Sequence, residues 1–281
     1  MRHLTGHEAA ASGGTVYAQR WLPDDDAVGV VVILHGLAEH SGRYRALAQH
    51  LVARRYAVHT YDQRGHGHSA GTRAYVGRFE WLVADAAGQL AAARAAHPSV
   101  PVFLFGHSMG GAVALATAIA HPALADGLVL SAAAVGADPA APRLQLLVGR
   151  LLSVIAPSTG ILRLDASGVS RDPGVVAAYK NDPLVYRRAL PARTLVALLG
   201  AMERLLARAP ELALPVLVLH GTADSLVPLR YAEPVYARLG SVDRTVIRYD
   251  GLYHEVFNEP EHERVMGDLD GWLARQRSAP S

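Results

Sequence analysis

The 281-residue sequence predicts an α/β fold, a mostly parallel central sheet flanked by helices and carrying an inserted helical cap. Three observations predict it. Short β-branched runs alternate with Ala/Leu/Arg-rich segments of helical spacing. Several of those runs are apolar throughout, as strands covered on both faces must be. The alternation is interrupted once, between about residues 133 and 210, and then resumes.

The strand-like runs, bounded by Gly or polar residues, are Thr15–Trp21, Val28–His35, Ala57–Tyr61, Pro101–Phe105, Gly127–Ser131, Pro215–His220 and Thr245–Tyr249. Helices are expected over Tyr44–Arg55, Phe79–His97, Met109–His121, Tyr231–Leu239 and Glu261–Gln276. No helix follows the first run, and Pro23-Asp24-Asp25-Asp26 reads as a turn, so the sheet is expected to open with a hairpin. Residues 133–210 hold helical patterns and Pro/Gly/Ser/Asp-rich loops without a convincing strand. They read as a cap inserted into a core made of 1–132 and 211–281. Inside the cap, Leu144, Leu147, Val148, Leu151, Leu152 and Ile155 form an apolar helical face broken at Gly149 and Arg150. That face is expected to pack the cap onto the core; the second reading is an acyl-chain tunnel or a lipid-facing lid.

Composition narrows the chemistry. With no Cys, disulfides, thiolate nucleophiles and Cys-based metal sites are excluded. A net charge of +2, with Arg scattered among Asp and Glu, argues against nucleic-acid binding. A charged fraction of 19% beside 51% hydrophobic residues argues against disorder. Met1–Gly14 contains no apolar run, and nothing reaches the ~18 continuous apolar residues of a spanning helix. The expectation is a cytoplasmic protein, at most peripheral to a membrane through its cap. Neither G-x-x-x-x-G-K-[ST] nor a helix-opening G-x-G-x-x-G occurs, so no nucleotide cofactor is expected. Asp62, His66 and His68 lack a further ligand at metal spacing and read as a glycine-punctuated loop, so no metal is expected either.

The sharpest signal is Gly106-His107-Ser108-Met109-Gly110, between an apolar strand and an Ala-rich helix. A serine on a tight strand-to-helix turn needs small neighbours two residues to either side, which Gly106 and Gly110 provide. The turn would expose the Ser108 hydroxyl and aim the Met109 N–H at a developing oxyanion. A serine hydroxyl also requires a base and an orienting acid. In the order such sheets use, Asp224 follows the run Pro215–His220 and His254 follows the run Thr245–Tyr249. Asp250 is the rival acid, disfavoured because it shares a strand exit with His254. His220, His262 and Asp268 are less well placed and read as turn or surface residues. The loop His35-Gly36-Leu37-Ala38-Glu39-His40 after the second run would supply the second oxyanion donor, the Leu37 N–H, with the His35 side chain ordering the loop.

Taken with Arg43-Tyr44, Tyr61-Asp62-Gln63-Arg64-Gly65-His66-Gly67-His68-Ser69, Tyr179-Lys180-Asn181-Asp182-Pro183-Leu184 and Gly251-Leu252-Tyr253-His254-Glu255, the chain resembles the monoacylglycerol lipase family of α/β-hydrolases in its actinobacterial form. The likeness runs from about Val16 to Leu273. It implies an α/β-hydrolase fold, a Ser108–Asp224–His254 triad, Leu37 and Met109 as oxyanion donors, and no cofactor. It further implies a polar glycerol pocket built with Glu39, Arg43 and Tyr179, and His107 beside it, for a monoacylglycerol substrate. Ala38 stands where many members carry a second glycine, and Phe257 where mammalian members carry histidine. A lysophospholipase or general carboxylesterase is the alternative within the fold, and a non-catalytic receptor the alternative outside catalysis.

Overall fold

In a computed structural model, which describes residues 1–138, 140 and 142–278, the chain forms an eight-stranded main sheet covered by helices on both faces. The strands are β1 (Arg2–Ala9), β2 (Thr15–Leu22), β3 (Gly29–Leu34), β4 (Tyr56–Tyr61), β5 (Val102–His107), β6 (Gly127–Ser131), β9 (Val216–Gly221) and β10 (Arg244–Tyr249). Their order is β1-β2-β4-β3-β5-β6-β9-β10, and every pairing from β4 to β10 is parallel. The short strands β7 (Gly160–Leu162) and β8 (Leu190–Pro191) pair separately.

The seven predicted strands and five predicted helices are all present within a residue or a few of their expected ends. The helices are α1 (Arg45–Ala53), α2 (Phe79–Ala96), α3 (Met109–Ala120), α7 (Leu229–Arg238) and α8 (His262–Ser278). The fully apolar runs are buried at every position, β3, β5 and β6 among them. Alternation sorts their side chains into two layers. Val30, Val32 and Leu34 join the cluster under α2 and α3, whereas Val31 and Ile33 join the one under α1 and α8.

Three expectations are corrected. The opening hairpin pairs β2 with β1, not with β3; β2 also lies antiparallel to β4. β1 carries no apolar alternation and is exposed at nearly every position, so periodicity gave no sign of it. The inserted segment is mostly helical as expected, with α4 (Arg143–Ile155), α5 (Pro173–Asn181) and α6 (Ala192–Arg208), but it also holds two unexpected strands, β7 and β8, three and two residues long. Finally, the apolar face of α4 does not pack on the core. Leu144, Leu147, Val148, Leu151 and Ile155 are exposed, and only Leu152 is half-buried. It is α6 that packs against α3 and α4.

α8 closes one face of the sheet through Trp272, which is fully buried, lies edge-on to Phe103 at 5.9 Å and leaves room opposite it only for Gly127. Trp272→Ala would open a cavity between β5, β6 and α8. The expected loss is about 3–5 kcal/mol, read as a lower midpoint in thermal or urea unfolding.

Candidate active site

The Gly106–Gly110 segment forms the turn that its sequence demands. Ser108 stands between β5 and α3 at φ 52°, ψ −120°, a backbone region costly to a residue with a Cβ. The turn is locked by contacts that exclude any side chain at its glycines. A Cβ on Gly106 would lie 2.3 Å from the Gly110 carbonyl oxygen, and one on Gly110 only 2.2 Å from that of Leu34. Ser108 is tied to β6 through its own N–H, which donates to the Ser131 carbonyl, and through its carbonyl, which accepts from the Ala134 N–H.

The β3 exit packs directly against this turn. A Cβ on Gly36 would sit 3.2 Å from the Ser108 Cβ. The loop is held as expected by His35, whose Nδ1 lies 2.7 Å from the Gly36 carbonyl and whose Nε2 accepts from the Gln63 N–H at 2.8 Å. Ala38 adopts φ 69°, the left-handed conformation that glycine takes freely, so the loop keeps its shape at a small backbone cost. Leu37 and Met109 line the same cavity as Ser108, and neither N–H is engaged in a hydrogen bond among the described residues. Met109 is the first residue of α3, where the helix leaves its N–H groups free.

Asp224 and His254 come from the loops after β9 and β10. His254 Nδ1 donates to Asp224 Oδ2 at 2.7 Å, and both residues are buried. Asp224 Oδ1 accepts the N–H groups of Leu226 and Val227. Burial alone would push the Asp224 carboxyl up, but the His254 ring, His220 and these donors together hold it well below the usual carboxylate range. For His254 burial favours the neutral ring; the adjacent Asp224 carboxylate outweighs it and raises the imidazole above its ordinary value. Ser108 and His254 line one cavity; no hydrogen bond joins them among the described residues, a loose geometry common in resting sites. The rival Asp250 is exposed and accepts from Thr222, away from His254.

His220 is misjudged as a turn or surface residue. It is fully buried, with Nε2 3.3 Å from Asp224 Oδ2 and 2.8 Å from the Val227 carbonyl, and Nδ1 3.0 Å from the Tyr236 hydroxyl. A histidine at a strand end next to a Gly carries no sequence signal for such a position.

On one side of Ser108 the site is polar. Glu39 accepts from the Gly36 N–H at 2.6 Å, from Tyr44 at 2.8 Å and from Arg43 at 2.6 Å. Arg43 also forks onto both oxygens of Glu255, and its guanidinium lies 4.7 Å from the Tyr179 ring centre. Burial opposes the Glu39 charge, but Arg43 overrides it and holds the carboxyl at about 2. His107 packs on His254 at 4.6 Å between ring centres and is driven down to about 3, chiefly by burial and then by His254, so it stays neutral. Thus Glu39, Arg43, His107 and Tyr179 are gathered as the sequence implied. Tyr44 and Glu255 join them, although the sequence reading gave neither a role.

On the other side Ser108 opens into a cavity of about 280 Å³. Its far walls are leucine-rich: Leu162, Leu164 and Leu190 from β7, β8 and their flanks, and Leu195, Leu198, Leu199 and Met202 from α6. None of the described α4 side chains contributes. The sequence singles out the α4 face alone within the cap, and α6 escapes it.

Asp62 has its carboxylate engaged by the Ser41 N–H and hydroxyl and by the His68 N–H, which makes it a loop organiser. Among the described residues no group of His, Asp and Glu is arranged to hold a metal ion.

Replacing Asp224 with Asn should leave burial as the main influence on His254. Following the His254 ring by NMR titration should show it titrating above 6.5 in the parent chain and below 6.5 in the variant. Arg43→Ala should strand two buried carboxylates and cost about 3–5 kcal/mol in chemical unfolding.

Residues 25–261 match the family model described as "Serine aminopeptidase, S33". The chain is 40% identical over 268 residues to a monoacylglycerol lipase of Mycolicibacterium smegmatis, spanning 95% of this chain and 96% of that protein. It is 34% identical to the human monoglyceride lipase, over 97% of this chain and 91% of that one. Among solved structures it is similar to the Paleococcus ferrophilus monoacylglycerol lipase, with a TM-score of 0.82 and 31% identity over 93% and 99% of the two chains. The strained serine turn, the Asp–His pair and this breadth of likeness lead to one conclusion: the chain is a serine hydrolase belonging to the monoacylglycerol lipase family of α/β-hydrolases.

Proposed function

We propose that the protein hydrolyses monoacylglycerols to fatty acid and glycerol through an acyl-enzyme. The observation that carries the reading is a single cavity at Ser108 with a leucine-lined part and a polar end formed by Glu39, His107, Tyr179 and Glu255. One acyl chain fits the first, and a small polyol suits the second.

Ser108 attacks the ester carbonyl as His254 Nε2 takes its proton. Asp224, held ionised, fixes the His254 tautomer and stabilises the imidazolium. The N–H groups of Leu37 and Met109 bind the tetrahedral oxyanion, each donor contributing roughly 10²–10³ in rate. His254 then protonates the departing glycerol oxygen. Water activated by the same ring releases the fatty acid and restores Ser108. Glu39, Arg43, His107 and Tyr179 present the headgroup pocket, where neutral His107 can donate or accept a hydrogen bond without placing a second charge beside His254. No cofactor takes part in this scheme.

Two features weigh between substrates. An amino-terminal peptide substrate needs a carboxylate free to bind its ammonium group, yet Glu39 and Glu255 both serve Arg43. That favours a neutral headgroup. A lysophospholipid shares the single acyl chain and remains the second reading, supported by similarity to a Bacillus subtilis protein named phospholipase YtpA, 33% identical over 86% of this chain.

The cap has an interfacial character as well. The exposed face of α4 would rest on lipid, bringing substrate to the leucine-lined cavity; no helix of the described residues is long and apolar enough to cross a membrane.

Fatty-acid release from a panel of mono-, di- and triacylglycerols and lysophospholipids tests the reading; preference for monoacylglycerol is expected, and equal or better cleavage of lysophospholipid would replace it. Ser108→Ala should fold normally and lose about 10⁴–10⁶ of turnover. The base must be neutral and its imidazole is raised, so kcat/KM should fall with decreasing pH through an apparent pKa above 6.5.

A further inference from the structure

Charge is divided between the two parts of the chain. Residues 133–210 contain ten basic and five acidic side chains, whereas the remainder contains seventeen basic and twenty acidic. The small net charge of the whole therefore conceals a cap at +5 on a body at −3.

Part of the cap's excess is gathered at one place. Arg163, Arg187 and Arg188 line a second cavity, which shares Leu164, Tyr179 and Leu190 with the leucine-lined one. All three arginines are exposed, and none forms an ion pair among the described residues. Asp165 is the one acidic group lining that cavity, so its walls keep an excess of two positive charges. Nine of the seventeen arginines outside the cap meet a carboxylate or a carbonyl, whereas none of these three makes a side-chain hydrogen bond among the described residues.

One of the three, Arg163, is joined by the chain to the exposed apolar surface. Arg163 directly follows Ile161 and Leu162, which are 40% and 49% exposed, and the Ile161 side chain lies beside Gly149 of α4. An apolar face next to unpaired guanidinium groups matches a surface with acyl chains below and phosphates above. We propose that the cap docks on anionic phospholipid, with Arg163, Arg187 and Arg188 on lipid phosphates around the cavity mouth and the α4 face in the acyl layer. This rests on the interfacial reading of α4 given above and adds its charge selectivity. A bilayer surface is favoured over an acidic protein because the cap combines its positive charge with Leu144, Leu147, Leu151, Val154 and Ile155, all 57% exposed or more.

The test is sedimentation of the full chain with vesicles of phosphatidylcholine alone and of phosphatidylcholine with phosphatidylglycerol, at low and high salt. The proposal expects stronger binding to the second, weakened by salt. At about fivefold per arginine, Arg163→Gln, Arg187→Gln and Arg188→Gln together should weaken it about a hundredfold, with an unchanged melting temperature as the folding control. Binding to both vesicles equally and independently of salt would keep the α4 reading and overturn the arginine inference, as would a triple variant that binds like the parent. Binding to neither vesicle would overturn both, and self-association in solution that Leu147→Asp abolishes would assign the face to a second copy of the chain instead.

Discussion

The site depends on one backbone constraint, the strained turn at Ser108. Its left-handed φ persists because β5 lies at the centre of the sheet and the neighbouring strands leave the chain no other course. Gly110 sits against the carbonyl oxygens of Leu34 and His35, and Gly36 against Ser108 itself. The Ser108 turn and the loop after β3 thus form one packed unit: displacing either moves the other. The bonds from Ser131 and Ala134 fasten that unit to β6 on its other side. Close backbone contacts at Gly106 and Gly110 and the side chains of His35, Glu39 and Gln63 together fix the position of Ser108 relative to the loop after β3.

Around this unit the fold separates two environments. The polar side is a closed charge network in which Arg43 bridges Glu39 and Glu255 and stacks on Tyr179 of α5, linking the core to the inserted segment. A buried arginine between two carboxylates leaves a net negative charge near His254, and Glu255 and Glu39 both help to raise its imidazole after Asp224 has done so. The apolar side is built from β7, β8 and α6. Acid–base properties are therefore set by the core, while the shape offered to an acyl chain is set by the insert. The two can vary separately.

Much of this was legible in the residues because the signals were local. Apolar runs bounded by glycine mark parallel strands, and Gly-x-Ser-x-Gly after such a run has one steric meaning. Asp224 and His254 were found from strand exits alone, because an open parallel sheet gathers its loops at one rim. What escaped depends on contacts between distant segments. β1 gains its place solely by pairing with β2 and has no buried face to announce it. His220 looks like any strand-end histidine until Tyr236 and Asp224 close around it. The α4 face reads as core by periodicity, since an amphipathic helix has the same pattern whether its stripe meets protein or lipid.

The central claim is that Ser108 becomes covalently acylated within reach of the Leu37 and Met109 N–H groups. The most direct measurement is a crystal structure of the chain after reaction with an alkyl fluorophosphonate, paired with mass spectrometry of the adduct. The account requires phosphonylation at Ser108 alone, the phosphoryl oxygen about 2.7–3.1 Å from both N–H groups, and the alkyl tail among the leucines of α6. Modification at another residue, or an adduct whose oxygen points away from those two donors, would contradict it.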